Sequence, residues 1–235
     1  MNEKLNGYKR IHFDEIGSTN DYAKSARKDG ENLIVSASAQ FGGRGTKGRS
    51  FSSQKGGVYL SQLTFYENFP ACRAFEVMKG AATAVCQTLA FFGLSPKIKW
   101  PNDVFVNGKK ICGILIENAL SGNRLASSIV GVGLNVCNEL PADLHSIATT
   151  MQLETGKNFT VEEVREVLIN SLCSDDIAAR YEEYLGWLGE TVTLVIGDTR
   201  ERARILSVDE EGGLWVEMRG EHRRFVAAEV SLLAE

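Results

Sequence analysis

Apolar residues in the first 136 positions fall into short runs separated by turn residues, which is typical of β-strands. Between two of these runs lies Asn107-Gly108, a dipeptide that favours a type I′ hairpin turn and hence antiparallel pairing. The sequence therefore predicts an α+β fold with a central mixed or antiparallel sheet flanked by helices, not a parallel doubly wound sheet. The predicted strands are residues 8–16, 33–37, 58–65, 104–106, 109–117 and 124–136.

Two helices are predicted among these strands. Residues 21–26 follow a Ser-Thr-Asn sequence at positions 18–20, which is typical of a helix N-cap and can be capping alone. Apolar residues recur at steps of three and four up to Phe92, which predicts an amphipathic helix over residues 70–92. Pro70 suits its first turn and Gly93 its end. The apolar face of this helix is expected to pack in the hydrophobic core.

The pattern of apolar and polar residues changes in the last third of the chain. Residues 161–188 have a helical pattern that Asp175 and Asp176 interrupt. We expect a first domain at residues 1–187 and a small all-β, barrel-like domain at residues 188–235, because short apolar runs there are separated by Gly, Asp and Glu. Its predicted strands are residues 192–196, 203–208, 213–217 and 224–226.

Composition excludes several classes of protein. The 235 residues are 43% hydrophobic and 24% charged, as in ordinary globular proteins, and the net charge of −4 argues against a nucleic-acid or membrane partner held by bulk electrostatics. The five cysteines are widely spaced and form no C-x-x-C pair, so we expect thiols in a reducing cytoplasm. We find no signal peptide and no run that could span a membrane.

The loop at residues 40–51 carries the strongest chemical signal before position 100. Glycines that let a backbone approach a ligand alternate there with Arg44, Lys47 and Arg49. Part of it fits G-x-G-x-x-G, and part nearly fits a phosphate-binding P-loop. Both interpretations need a helix directly afterwards, whereas a Ser- and Gly-rich stretch and a strand follow. We therefore expect a loop that closes over a phosphorylated or adenylated small molecule.

A second group of polar residues surrounds the predicted hairpin. Lys110 begins a strand whose next residues are apolar, and it is expected to pair near Phe105. Asn102 and Asp103 lie slightly further along the neighbouring strand, so the three side chains form a candidate site for an anion, an amide and a metal or ribose. A lone lysine at a strand end can also simply extend to solvent.

Four motifs occur in the order and spacing found in biotin protein ligases, and the chain resembles that family over essentially its whole length. The most specific are K-W-P-N-D at residues 99–103 and K-I-C-G-I-L-I-E at 110–117, accompanied by residues 43–49 and 131–135. The resemblance implies the class II aminoacyl-tRNA synthetase-like fold of biotin and lipoate ligases, followed by an SH3-like β-barrel.

The resemblance also implies a two-step reaction. Biotin and ATP with Mg²⁺ would give biotinyl-5′-AMP and pyrophosphate, and a lysine of a biotin carboxyl carrier domain would then attack the mixed anhydride. Lys110 and Arg44 would be catalytic, and Mg²⁺ would lie near Asp103. The expected biotin-binding residues are Ser18, Thr19, Asn20, Gln40, Gly43, Arg44, Gly45, Thr46, Lys110 and Gly113. The expected ATP- or adenylate-binding residues are Lys47, Arg49, Phe51, Asn102, Asp103 and Asn135.

The chain departs from the family pattern at two positions. Thr46 stands where many relatives carry a third loop arginine, so we expect weaker retention of the adenylate. Phe51 stands where tryptophan is usual, and stacking should survive that change with less contact area. The predicted ligase domain starts within the first ten residues, so we expect a ligase without a DNA-binding domain and no DNA partner. A homodimer through an exposed sheet edge is left open. The alternatives are a lipoate or octanoate ligase of the related fold and a non-catalytic module that binds biotinyl-adenylate.

Overall fold

The structure is a computed structural model and describes residues 4–5, 7–174 and 177–233. Its first part is built on one sheet of eight strands in the order β1-β2-β3-β4-β8-β7-β6-β5. Only β2 and β3 pair in parallel among the described strands. The predicted mixed sheet is confirmed. The strands are β1 (Lys4–Leu5), β2 (Tyr8–Ile16), β3 (Leu33–Gln40), β4 (Val58–Pro70), β5 (Lys97–Lys99), β6 (Asp103–Val106), β7 (Lys109–Ser121) and β8 (Arg124–Leu134).

Helices cover both faces of this sheet. On one face, α2 and α4 bury the main core, in which Val85 and Leu89 are fully buried; each such side chain contributes about 1.5–3 kcal/mol. On the other face, Ala23 of α1 packs in a smaller cluster that includes Leu63 of β4. On this second face, α1 leaves part of β7 and β8 uncovered, and a cavity lies there. The helices are α1 (Thr19–Ala26), α2 (Phe75–Phe91), α3 (Met151–Thr155), α4 (Val161–Leu172) and α5 (Tyr181–Tyr184).

Local sequence explains where α1 begins but not where α2 begins. Ser18 caps α1 by accepting a hydrogen bond from the backbone N–H of Asp21, as the sequence predicted. The prediction that Pro70 starts the long helix is wrong. Pro70 is the last residue of β4, where it pairs with Arg124, and α2 starts at Phe75. The expected break at positions 175–176 lies outside the described residues.

The C-terminal part is a second, wholly antiparallel sheet in the order β12-β11-β10-β9-β13. The small β domain is confirmed, but within residues 177–233 the strand order has two free ends, so the sheet does not close into the predicted barrel. Its last strand was not predicted. The strands are β9 (Thr191–Ile196), β10 (Thr199–Val208), β11 (Leu214–Met218), β12 (Glu221–Phe225) and β13 (Val230–Leu233). Across the described chain, no helix is both long and apolar enough to cross a membrane.

Candidate functional site

A cavity of about 40 Å³ lies on the α1 face of the main sheet, above β7 and β8. The structure brings twelve of the predicted site residues to its walls. They are Ser18, Thr19, Asn20, Gln40, Arg44, Gly45, Thr46, Phe51, Asn102, Asp103, Lys110 and Gly113. Gly43, Arg49 and Asn135 do not line it, and the side chain of Lys47 lies outside the described part of the chain.

Glycines on two neighbouring strands form the floor of the cavity. Gly113 of β7 pairs with Gly133 of β8, and Gly131 lies two residues earlier on the same face. A Cβ atom at Gly133 would lie 2.6 Å from the ring of Phe51, and one at Gly131 would lie 2.1 Å from Oδ1 of Asn20. Any larger residue would therefore fill the space that these side chains use. The sequence singled out Gly131 and Gly133 only as small residues of the 131–135 motif and gave them no individual role, although glycines inside a strand often mark such close approach.

The ring of Phe51 lies directly on this floor. It approaches the Cβ positions of Gly113 and Gly133, and it packs edge-on against Tyr59 with ring centroids 6.5 Å apart. The sequence had suggested Phe51 as a stacking partner for adenine. Its position shows that the residue can present a flat apolar surface inside the cavity.

Neutral polar groups form one end of the cavity. Thr19 donates from its backbone N–H to Oε1 of Gln40 at 2.8 Å and from its hydroxyl at 3.1 Å. Oγ of Ser61 lies 2.7 Å from the Thr19 hydroxyl and 2.6 Å from Oδ1 of Asn20. Ser18, Thr19 and Asn20 are all buried, so these hydrogen bonds hold a fixed set of donors and acceptors.

Glu117 connects this network to the basic loop. Its carboxylate accepts a hydrogen bond from Asn20 at 3.1 Å and lies 3.2 Å from Arg44 and 3.3 Å from Lys24. Burial raises the pKa of Glu117, but the hydrogen bond from Asn20 and the charge of Arg44 outweigh it and leave the pKa below its ordinary value. Arg44 also pairs with Asp21 at 2.5 Å. Sequence reasoning assigned Glu117 no role, because its partners are distant along the chain.

The basic loop is a hairpin that folds over the cavity. Its arms are joined by hydrogen bonds from Phe51 N–H to Gly43 at 2.9 Å and from Gly45 N–H to Arg49 at 2.7 Å. A Cβ at Gly43 would lie 2.4 Å from the carbonyl oxygen of Phe51, so Gly43 permits the two arms to meet. The next regular element is β4, so the rejection of a dinucleotide-binding or P-loop turn is confirmed.

Lys110 lies at the other end of the cavity. It pairs with Phe105, as expected, and its Nζ forms an ion pair with Oδ1 of Asp103 at 2.6 Å. Asn102 is fixed beside it, since its side chain donates to the Ile114 carbonyl at 2.8 Å and its own carbonyl accepts from the Ile114 N–H at 3.1 Å. The site that the hairpin suggested is therefore assembled, with an ammonium, an amide and a carboxylate side by side.

Lys99 adds a further cation that the sequence analysis did not assign. It pairs with Asp103, which in turn pairs with Gly113, so all three lie in one row across the sheet. Its Nζ lies 4.9 Å from the ring centroid of Phe105. Burial lowers the pKa of Lys99, and the positive charges of Lys110 and Arg49 lower it further, against the opposite effect of Asp103. The strand register could have identified it.

Asn135 lies behind Lys110 and off the cavity wall. It is buried and donates to the carbonyl of Thr149 at 3.1 Å. The segment that it holds flanks β7, because Lys110 donates to Ile147 and accepts from Thr149, both at 2.9 Å. In this structure Asn135 braces the strand that carries Lys110.

The arrangement suits a ligand with a neutral polar head and an anionic tail. Neutral donors and acceptors lie at the α1 end, the glycine floor lies between, and cations surround Asp103 at the far end. Within the described residues, no three His, Cys, Asp or Glu side chains cluster to hold a metal. One carboxylate and one amide can still complete the shell of a Mg²⁺ ion that arrives on substrate phosphates.

Comparison with known proteins finds similarity to protein ligases. Residues 13–135 match the profile of the biotin/lipoate A/B protein ligase family. The bifunctional ligase/repressor BirA of Bacillus subtilis (strain 168) is 31% identical over 255 residues, which covers 99% of this chain and 76% of that protein. A biotin–[acetyl-CoA-carboxylase] ligase of Paracoccus denitrificans is 33% identical over 141 residues, or 57% of this chain and 58% of that protein.

A solved structure shares the fold over nearly the full length. The biotin protein ligase from Aquifex aeolicus in complex with biotin and ATP matches with a TM-score of 0.76 and 27% identity, covering 96% of this chain and 99% of that chain. The similarity therefore includes both the main sheet and the C-terminal sheet.

Proposed function

Because the chain belongs to the biotin/lipoate A/B protein ligase family, we propose that it is a biotin protein ligase that activates biotin with ATP and transfers it to a lysine of a carrier domain. The observation that supports this most strongly is the position of Lys110. Its ammonium lies beside Asp103, at the opposite end of the glycine floor from the Thr19–Gln40 network.

The first step joins two anions. A carboxylate oxygen of biotin attacks the α-phosphorus of ATP, a C–O–P linkage forms, the bond between the α-phosphorus and the bridging oxygen breaks, and pyrophosphate leaves. The main obstacle is charge repulsion, which fixed cations reduce as negative charge builds in the transition state. Lys110 supplies such a cation, with Lys99 and Arg49 near it. No general base is required, because a carboxylate is already the nucleophile.

The second step releases AMP. The neutral amine of the acceptor lysine attacks the acyl carbon, an amide bond forms, the acyl–oxygen bond breaks, and the amine loses its proton to solvent. A loop that excludes water protects the anhydride until this attack occurs. The hairpin that carries Arg44 and Phe51 is in the position to do so.

We assign the neutral end of the cavity to biotin and the cationic end to the nucleotide. Ser18, Thr19 and Gln40 would bind the ureido group, with Asn20, Gly45, Thr46 and Gly113 shaping the walls around the acyl chain. Arg44 would exchange its contacts with Asp21 and Glu117 for the biotin carboxylate. Phe51 would stack on adenine, with Asn102 and Asp103 placing the phosphates and their Mg²⁺. Lys47 and Arg49 would neutralise the triphosphate, while Gly43 and Asn135 act through the loop and strand that they support.

Biotin-dependent exchange of labelled pyrophosphate into ATP tests this proposal. We expect exchange with biotin and little with lipoate or octanoate. Neither of those acids has a ureido group, so binding either one would bury the polar groups of the Thr19–Gln40 network without hydrogen bonds from the ligand. Exchange with lipoate or octanoate alone would identify a ligase of the related substrate class. Absence of exchange with all three acids would refute an enzymatic function and favour the binding module.

Three further proposals concern the setting of the reaction. The protein substrate is a biotin carboxyl carrier domain. The compartment is a reducing cytoplasm, in keeping with five widely spaced cysteines that form no C-x-x-C pair. A homodimer could form through the free edge of the main sheet at β1, which sedimentation of the purified protein would test. DNA binding is not part of the proposed function.

A further inference from the structure

The turn between β5 and β6 carries the residues that hold Lys110. It begins at Trp100, which is 4% exposed, and ends at Asp103, the ion-pair partner of Lys110. On one side Tyr181 donates to the carbonyl of Pro101 at 3.3 Å. A displacement of this turn would therefore move the carboxylate that positions the Lys110 ammonium.

A second turn, at residues 209–213 of the C-terminal sheet, is organised by the carboxylate of Asp209. That carboxylate accepts backbone hydrogen bonds from Glu211 at 3.1 Å and Gly213 at 2.8 Å. It also accepts from the indole N–H of Trp215 at 3.0 Å and pairs with Arg224 at 2.5 Å. The pKa of Asp209 is about 2, mainly because of the hydrogen bond from Arg224, so the carboxylate is ionised at neutral pH.

The two turns meet at Gly212. The buried indole N–H of Trp100 donates to the Gly212 carbonyl oxygen at 3.1 Å. Gly212 has a φ of +88°, and a Cβ there would lie 2.4 Å from the ring of Phe75 at the start of α2. The 209–213 turn therefore packs closely against the first domain. It accepts one hydrogen bond from Trp100, the first residue of the Trp100–Asp103 turn.

We propose that the 209–213 turn of the C-terminal sheet positions Lys110, through the hydrogen bond that the Trp100 indole donates to Gly212 and the ion pair between Asp103 and Lys110. Asp209 and Trp100 are positioning residues in this scheme, because neither lines the cavity. The inference rests on the proposed ligase function, and it gives the C-terminal sheet a role in adenylate formation. The ureido end of the cavity is held by the separate Thr19–Gln40 network, so this link should affect biotin affinity much less than kcat.

The test uses the full chain and compares Trp100→Phe, Asp209→Ala, Asp209→Asn and the double variant Trp100→Phe/Asp209→Ala. Tyr66→Phe is the matched control, because it also removes one hydrogen bond, between the Tyr66 and Ser128 hydroxyls at 3.0 Å, at a site that belongs to neither turn. We expect Trp100→Phe and Asp209→Ala each to lower kcat for biotin-dependent pyrophosphate exchange by about fivefold, the effect of one lost hydrogen bond. The double variant should be no slower than the slower single variant, and Asp209→Asn should recover part of the rate.

Two other readouts separate positioning from general damage. The dissociation constant for biotin should stay within about twofold of the parent value in every variant, because that end of the cavity is untouched. Hydrogen–deuterium exchange should become faster in peptides covering residues 97–114 and stay unchanged at residues 33–40. Tyr66→Phe should match the parent protein in all three measurements, because Tyr66 lies outside both turns and outside the peptides that are compared.

Several results would overturn the inference. The first is a Trp100→Phe variant with the kcat and the hydrogen exchange of the parent protein. The second is a double variant whose fold-loss in kcat equals the product of the two single fold-losses. The third is a biotin affinity that falls by the same factor as kcat. If the parent protein itself shows no biotin-dependent exchange, the proposed function fails. In that case the hydrogen exchange of residues 97–114 still tests whether the 209–213 turn holds the Trp100–Asp103 turn in place. Unchanged exchange in both single variants would refute that link.

Discussion

Replacing Gly131 by alanine tests the fixed end of the cavity. The new methyl group would lie 2.1 Å from Oδ1 and 3.0 Å from Nδ2 of Asn20, far inside normal contact distance. Asn20 has little freedom to move, because Ser61 and Glu117 hold it at 2.6 and 3.1 Å. Displacing it breaks one neutral hydrogen bond and one to a charged group, so we expect the free energy of unfolding to fall by about 2–4 kcal/mol. For a chain of this size that is a Tm lower by roughly 5–15 °C.

Gly133→Ala is the matched control on the same strand and face. Its methyl group would meet the ring of Phe51 at 2.6 Å, but that ring is on the loop and can swing aside. We expect stability within about 1 kcal/mol of the parent protein, with weaker binding of ATP because the floor is no longer flat. Urea unfolding and calorimetric titration measure the two effects. Equal losses of stability in the two variants, or a parental midpoint for Gly131→Ala, would refute the reasoning that Asn20 is fixed and Phe51 mobile.

Three further substitutions probe the charges around the cavity. Glu117→Gln should lower the unfolding free energy by about 1–2 kcal/mol, since Arg44 loses a charged partner; an unchanged urea midpoint would contradict this. Lys99→Gln should raise KM for ATP about tenfold while leaving biotin affinity unchanged, as expected for the loss of one charge-assisted phosphate contact. Thr46→Arg should slow release of biotinyl-AMP in a stopped-flow chase, because the loop gains a cation facing the cavity; an equal or faster off-rate would refute the idea.

Local signals predicted the elements that depend on neighbouring residues. The Asn107-Gly108 turn has positive φ at both positions, as a type I′ turn requires, and it sets the pairing of Lys110 with Phe105. Ser18 caps α1 as its residue type suggested. In each case the determining contacts lie within a few residues, so periodicity and turn chemistry are sufficient.

Features that depend on distant residues escaped prediction. Pro70 satisfies the rules for a helix start, but pairing with Arg124 extends β4 through it. Glu117 binds partners nearly a hundred residues away, and the brace from Asn135 to Thr149 depends on how a loop returns beside β7. The packing of α1, the basic loop and the segment at residues 147–149 against the sheet brings these groups together, and no pattern within a few residues specifies that packing.

Biotin transfer to a carrier domain is the most direct test of the central claim. The purified chain, ATP, Mg²⁺, biotin and an isolated biotin carboxyl carrier domain are incubated, and the carrier is analysed by intact mass and peptide mapping. We predict the mass of one biotinyl group on a single lysine, dependent on ATP and strongly reduced in Lys110→Ala, which lacks the ammonium beside Asp103. An unmodified carrier with the parent protein, or full transfer by Lys110→Ala, would contradict the account.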